Sequence, residues 1–226
     1  MTTLAPALPV ALPPLLDLAG TAVFALTGAL LAARLRQTFV TMAFFALVTG
    51  VGGGSLRDLL IGAPVFWVHD PWVAPVCLGT ALVAWFTPRR WWERQALEWA
   101  DAAGLGAYAV LGTAKALAWG VPPVSATLMG VITGCVGGIV RDVLAGRPSI
   151  LMRPELYVTA AALAAALCAG LSLTGVAHAV AWPVAALAGF ALRGAALALG
   201  LHLPSYSTER PRPEGSLIDP DHHQNP

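Results

Sequence analysis

Seven apolar runs, separated by short polar or proline-bearing breaks, set the pattern of this 226-residue chain. They cover roughly residues 15–33, 38–60, 71–87, 99–119, 122–145, 156–174 and 181–201. A helix needs roughly 20 mostly apolar residues to cross a bilayer. The pattern therefore predicts an all-α polytopic membrane protein with seven transmembrane helices. Prolines fall where helices should start: Pro13 and Pro14 precede the first run, Pro71 opens the third, Pro122 and Pro123 open the fifth, and Pro183 lies early in the seventh. Proline is tolerated in a first turn because its missing N–H would be unpaired there anyway. The third run is short and also carries Pro75. Residues 1–14 form an N-terminal segment without Lys or Arg, so they lack the basic region of a secretory signal, and the first run reads as a permanent span. Residues 204–226 form a polar, proline-rich tail whose composition predicts disorder.

The chain contains itself twice. Thr49-Gly-Val-Gly-Gly-Gly-Ser-Leu-Arg-Asp-Leu-Leu-Ile-Gly-Ala-Pro64 returns 84 residues later as Thr133-Gly-Cys-Val-Gly-Gly-Ile-Val-Arg-Asp-Val-Leu-Ala-Gly-Arg-Pro148, with nine of sixteen positions identical and no gap. At the same offset Asp17, Gly20 and Gly28 fall on Asp101, Gly104 and Gly112. The copies span residues 15–87 and 99–174, three runs each, and the run at 181–203 stands alone. Because three is odd, the second copy enters from the opposite face, and the repeats must be inverted. Inverted repeats with interrupted helices at matching positions point to a substrate or permeation site between them.

Composition agrees with a membrane setting: 57% of residues are hydrophobic, 11% are charged and mean hydropathy is +0.71. Soluble domains carry about 25% charge. A net charge of +1 gives no case for nucleic acid. Cys77, Cys135 and Cys168 lie singly in apolar runs, so neither a metal nor a disulfide is assigned. Nothing resembles a catalytic triad or a phosphate-binding loop, and no enzyme is expected. Arg34, Arg36, Arg89, Arg90, Arg94, Arg147, Arg153, Arg210 and Arg212 all fall on one side of a seven-span chain, and the other side has no Lys or Arg. The positive-inside rule then puts the N-terminus outside and the C-terminus in the cytoplasm. Trp67, Trp72, Trp85, Trp91, Trp92, Trp99, Trp119 and Trp182 sit near run ends, as an interfacial belt would.

The shared residues carry the chemistry. Gly52, Gly53 and Gly54 fall in the second half of span two, and Gly137 and Gly138 repeat them in span five behind Val136. Each glycine costs a helix roughly 1 kcal/mol relative to Ala, so both helices are expected to break or bend there. A break inside lipid is tolerated where it lines a cavity, and its bare carbonyls can coordinate a cation. The competing reading is close helix packing through small residues. Arg57-Asp58 and Arg141-Asp142 follow each glycine run. Neighbours on a helix do not face each other, so each charge is expected to pair across the bundle, with the opposite copy or with Asp17 and Asp101. Snorkelling of each Arg to headgroups is the alternative. Asp101, Gly104, Tyr108, Gly112 and Lys115 form one helical stripe, matched by Asp17, Gly20, Phe24, Gly28 and Leu31. Lys115 either pairs with an Asp of another helix or sets charge in an aqueous path, and the second is favoured. Thr41, Thr49, Ser55, Ser125, Thr127 and Thr133 offer hydroxyls to a path or to their own helix backbone. Arg193 has no counterpart in a repeat and finds no place.

The paired motifs, with Gly112-Thr-Ala-Lys115-Ala-Leu in the fourth span, resemble the prokaryotic trimeric intracellular cation channels over about residues 15–200. The resemblance implies a homotrimer in the cell inner membrane, with one K⁺/Na⁺ pore per protomer framed by kinked second and fifth helices at Gly52, Gly53, Gly54, Gly137 and Gly138. It also implies phospholipid bound nearby, and no cofactor beyond the permeant ions. Val136 replaces a third glycine, so the second kink is expected to be stiffer. The lipid-binding Lys-Glu-Val segment of animal relatives is missing, which leaves phosphoinositide regulation unsupported. Proteins of this repeat type have also been labelled glycine transporters. A secondary transporter of a small amino acid is therefore the alternative to a channel, and inverted repeats suit its alternating access.

Overall fold

The computed structural model describes residues 14–88, 95–152 and 154–204. The terminal segments, most of the polar loop after the third run, and Arg153 lie outside the described residues. So do Trp91, Trp92 and the expected disorder of the tail.

Helices occupy all seven apolar runs: α1 (Pro14–Arg34), α2 (Phe39–Ile61), α4 (Val73–Phe86), α5 (Ala96–Ala118), α6 (Pro123–Leu144), α7 (Val158–Leu173) and α8 (His178–Leu199). A one-turn helix, α3 (Phe66–His69), and a 3₁₀ turn at Ile150–Met152 sit at equivalent places in the two copies. Among the described residues only an isolated bridge, Glu155 to His202, has β geometry. By length and hydropathy α1, α2, α6 and α8 can cross a membrane. Helices α4 and α7 have 14 and 16 residues, short of the roughly 20 for a crossing along the bilayer normal. At 23 residues α5 is long enough, but it carries Glu98, Asp101 and Lys115.

Both glycine-run helices are continuous. Helical structure runs unbroken through Gly52, Gly53 and Gly54 and through Gly137 and Gly138, so the expected loss of helical continuity is absent. Glycine weakens a helix by entropy and leaves its N–H and C=O groups in place, and tertiary packing offsets that weakness here. A Cβ on Gly53 would overlap the Thr133 carbonyl oxygen, and one on Gly137 would lie 2.7 Å from that of Thr49. Residue numbers rise on α2 as they fall on α6 along this contact, so the helices cross antiparallel with their backbones touching. This is the arrangement small residues permit between membrane helices.

The other repeated residues obey the same pseudo-twofold relation. Gly20 on α1 faces the Tyr108 ring of α5, and Gly104 on α5 faces the Phe24 ring of α1. The two rings meet at 5.1 Å between centroids. Tyr108 adds what its counterpart Phe24 cannot: its hydroxyl lies 2.7 Å from Thr21 Oγ1 and donates to the Gly50 carbonyl at 3.1 Å. Two apolar cores flank this centre, one mainly of α1, α2 and α4 and the other mainly of α5, α6, α7 and α8. Helix α8 packs on α5 and α7 of the second repeat.

Replacing Gly53 with Ala should lower the thermal unfolding temperature sharply, because the obstacle is backbone and cannot rotate away. Gly79, on α4 with nothing within 4 Å of a built Cβ, is the control. Its replacement by Ala should be neutral or stabilise by up to about 1 kcal/mol, as read by tryptophan fluorescence melts in detergent.

Candidate functional site

At the end of each glycine-run helix the chain turns by the same device. The helix closes on a glycine in left-handed conformation, Gly62 (φ 69°) or Gly146 (φ 63°). The next N–H, from Ala63 or Arg147, returns to the carbonyl of Asp58 or Asp142. Pro64 and Pro148 then prevent continuation, as in a Schellman-type C-cap. The aspartate side chains complete the turn: Asp58 Oδ2 accepts the Phe66 N–H at 2.9 Å, and Asp142 Oδ2 accepts the Ile150 N–H at 3.1 Å. Residues 66 and 150 are themselves 84 apart, so the repeat extends to this bond.

With Oδ2 committed to the turn, Oδ1 faces the preceding arginine. Arg57 Nε donates to Asp58 Oδ1 at 2.8 Å and Arg141 Nε to Asp142 Oδ1 at 3.0 Å. This corrects the expectation that neighbours would not meet. The long arginine curls back along a helix end whose aspartate is already turned towards the C-terminus. Snorkelling is also ruled out, since Arg57 is 0% and Arg141 2% exposed.

Cross-bundle pairing occurs as well. Arg141 Nη1 reaches Asp101 Oδ1 on α5 at 2.6 Å. Lys115 Nζ, with its side chain 15% exposed, lies 2.8 Å from Asp58 Oδ1, so it takes an aspartate of the opposite repeat, the first of the two roles set out for it. Both Arg57 and Lys115 stand over the Phe66 ring, at 5.8 and 6.0 Å from its centre. Asp17 Oδ1 and both Nη atoms of Arg57 are buried without a hydrogen-bond partner among the described residues.

The antiparallel crossing puts these networks at opposite ends. The second-repeat end contains a cavity of about 70 Å³ lined by Arg34, Asp101, Arg141, Asp142, Glu155 and Arg193, among others. That exceeds the roughly 10–15 Å³ a cavity needs to admit a water. Arg34 pairs with Glu98 at 3.1 Å. Arg193, unplaced by sequence reasoning, pairs with Glu155 and lies over the Tyr157 ring at 5.3 Å. Glu155 lies outside the duplicated motif and Arg193 outside both repeats, so no periodicity linked them.

The hydroxyls divide. Thr133 donates to Met129 O at 2.6 Å, Ser55 to Val51 O at 2.7 Å and Thr127 to Pro123 O at 2.9 Å, each on its own helix. Thr41 caps α2 together with Thr38. Thr49 Oγ1, beside the central crossing, is buried without a hydrogen-bond partner among the described residues. Ser125 is exposed on the first turn of α6 and joins neither network. Gly52 is nearest Gly137 across the crossing, Gly54 faces the Phe66 ring, and Gly138 faces the Tyr157 hydroxyl.

A model of the family described as glycine transporter matches residues 14–89 and again 98–172. The two matches begin 84 residues apart, at the period of the duplication. A solved structure of the TRIC trimeric intracellular cation channel orthologue from Rhodobacter sphaeroides is 41% identical, with a TM-score of 0.77 over 83% of this chain and 98% of that one. The chain belongs to the trimeric intracellular cation channel family. Among curated relatives of this family member, a membrane protein of Vibrio cholerae is 43% identical over 65% of this chain and 62% of its own length. The inner membrane protein YadS of Escherichia coli K12 is 41% identical over 64% of this chain and 72% of its own.

Asp142 links turn, arginine and inner cavity, so Asp142→Ala strands the Ile150 N–H and leaves Arg141 with Asp101 as its carboxylate partner. A loss of about 1–3 kcal/mol is expected from the unpaired buried N–H. Ser125→Ala should stay within about 0.5 kcal/mol. Chemical denaturation in detergent compares the two.

Proposed function

We propose that this protein is a monovalent-cation channel that passes K⁺ and Na⁺ along a path between its two inverted repeats, one path per protomer of a homotrimer. The observation that carries this reading is the likeness to the Rhodobacter sphaeroides channel orthologue, in sequence and fold together, over 98% of that chain. The charges are consistent with it. Each end of the α2–α6 crossing has buried carboxylates, those of the second repeat lining the cavity, and at the crossing Gly53 and Gly137 lie against the Thr133 and Thr49 carbonyls. In this reading the crossing is the narrow centre. Conduction requires α2 and α6 to bend or part at Gly52, Gly53, Gly54, Gly137 and Gly138, where bare backbone makes bending inexpensive. The networks of Asp17, Arg57, Asp58 and Lys115 at one end, and Asp101, Arg141 and Asp142 at the other, flank the path, with Thr49 and Thr133 at its middle.

The arginine distribution supports an inner-membrane orientation with the N-terminus outside and the C-terminus cytoplasmic. The first-repeat network then faces outward and the 70 Å³ cavity faces the cytoplasm. Phospholipid filling the grooves around the bundle belongs to the same proposal. Secondary transport of a small amino acid is the competing reading, supported by the inverted repeats and by the description its family model carries.

Planar-bilayer recording of purified protein separates the two. The channel reading expects unitary currents in symmetric KCl that reverse near the cation potential in a KCl gradient. Glycine uptake into proteoliposomes with no unitary currents would establish the transporter instead.

A further inference from the structure

The two copies agree contact for contact at their turns but differ at one bridge. In the second, Arg141 Nη1 donates to Asp101 Oδ1 at 2.6 Å. In the first, the equivalent groups do not meet: both Nη atoms of Arg57 and Oδ1 of Asp17 are buried, without a hydrogen-bond partner among the described residues. The bridge residues are the same in both copies, so their identity does not explain the difference. A guanidinium edge and a carboxylate oxygen left dry and unpaired are costly, which favours either water between them or their closure onto each other.

The surroundings identify the part that can move. Asp58 is held three ways, by the Phe66 N–H, Arg57 Nε and Lys115 Nζ. Among the described residues nothing holds Asp17 in this way, and it lies in the first turn of α1. Lys115 has Leu31 at its equivalent position, so the first-copy network has a cation that the second lacks, and that cation occupies Asp58. The second copy displays the closed geometry that the first can adopt, since inverted halves share one architecture.

We propose that Asp17 and Arg57 form a bridge that closes the outer end of the path, open in this structure and made in a second state. Asp101 and Arg141 make the same bridge here at the inner end. The inference rests on the reading of a path between the repeats. It places the outer closure at the start of α1 and not at the central crossing.

The test uses full-length protein with Cys77, Cys135 and Cys168 changed to Ala and Thr49→Cys introduced at the crossing. A membrane-impermeant thiol reagent is applied to right-side-out vesicles, and the same variants are recorded in planar bilayers. Asp17→Asn removes the closure, so outside labelling and open probability should rise roughly tenfold, within the range of ordinary coupling between sites. Asp101→Asn should leave outside labelling unchanged. Equal labelling with and without Asp17→Asn overturns the proposal, as does an equal rise in both variants. A rise confined to Asp17→Asn in a protein that passes no current upholds the bridge and removes the channel reading. Should Thr49→Cys prevent folding, open probability in the parent background decides: an unchanged value in Asp17→Asn overturns the bridge.

Discussion

Two antiparallel helices can bring their backbones into contact only where neither puts a side chain between them, and α2 and α6 meet that condition at Gly53 and Gly137. The contact is reciprocal, each glycine lying against the carbonyl of the threonine four residues before its counterpart. Much of the architecture follows from this constraint. The crossing sets the pseudo-twofold axis and brings Phe24 of α1 against Tyr108 of α5. It also sends the Arg-Asp pairs to opposite ends of the bundle. Lipid supplies no hydrophobic drive for helix association, so packing of this closeness must supply the attraction.

The two turn aspartates each serve several buried groups at once. A charge held in the bilayer costs about 3 kcal/mol or more unless it faces a partner or a cavity. Asp58 and Asp142 each use one oxygen to hold the returning chain and the other to hold an arginine. One carboxylate thus neutralises a cation and also satisfies a backbone N–H where a helix has just ended. The Gly and Pro that follow at 62, 64, 146 and 148 supply the turn that makes this geometry possible.

Much of the helical plan was legible because length and apolarity mark membrane helices, and the 84-residue period is unambiguous. Inversion followed from counting runs. The glycine runs were harder, because helix propensity and close packing predict opposite outcomes from the same residues. Only the neighbour across the crossing, Thr133 for Gly53, decides between a break and a seat. The Arg57–Asp58 contact was missed because the rule against i, i+1 pairing describes helix interiors, whereas this pair stands at an end where the aspartate is already committed to the turn. Lys115 finding Asp58 and Arg193 finding Glu155 depend on which helices lie side by side, information that no single helical stripe contains.

Continuity of α2 and α6 also bears on where a path could open. Rotating a side chain cannot widen a contact made by main chain on both sides, so the centre can open only if whole helices bend or separate. The ends are different. There the contacts are ion pairs and hydrogen bonds between side chains, and the two repeats already show two arrangements of the same residues, one bridged and one not. In the proposed exchange the start of α1 would move relative to α2, with the turn locks at Asp58 and Asp142 kept in place. A bundle whose middle is held by backbone contact and whose ends are held by exchangeable charges has its least expensive motions at its ends.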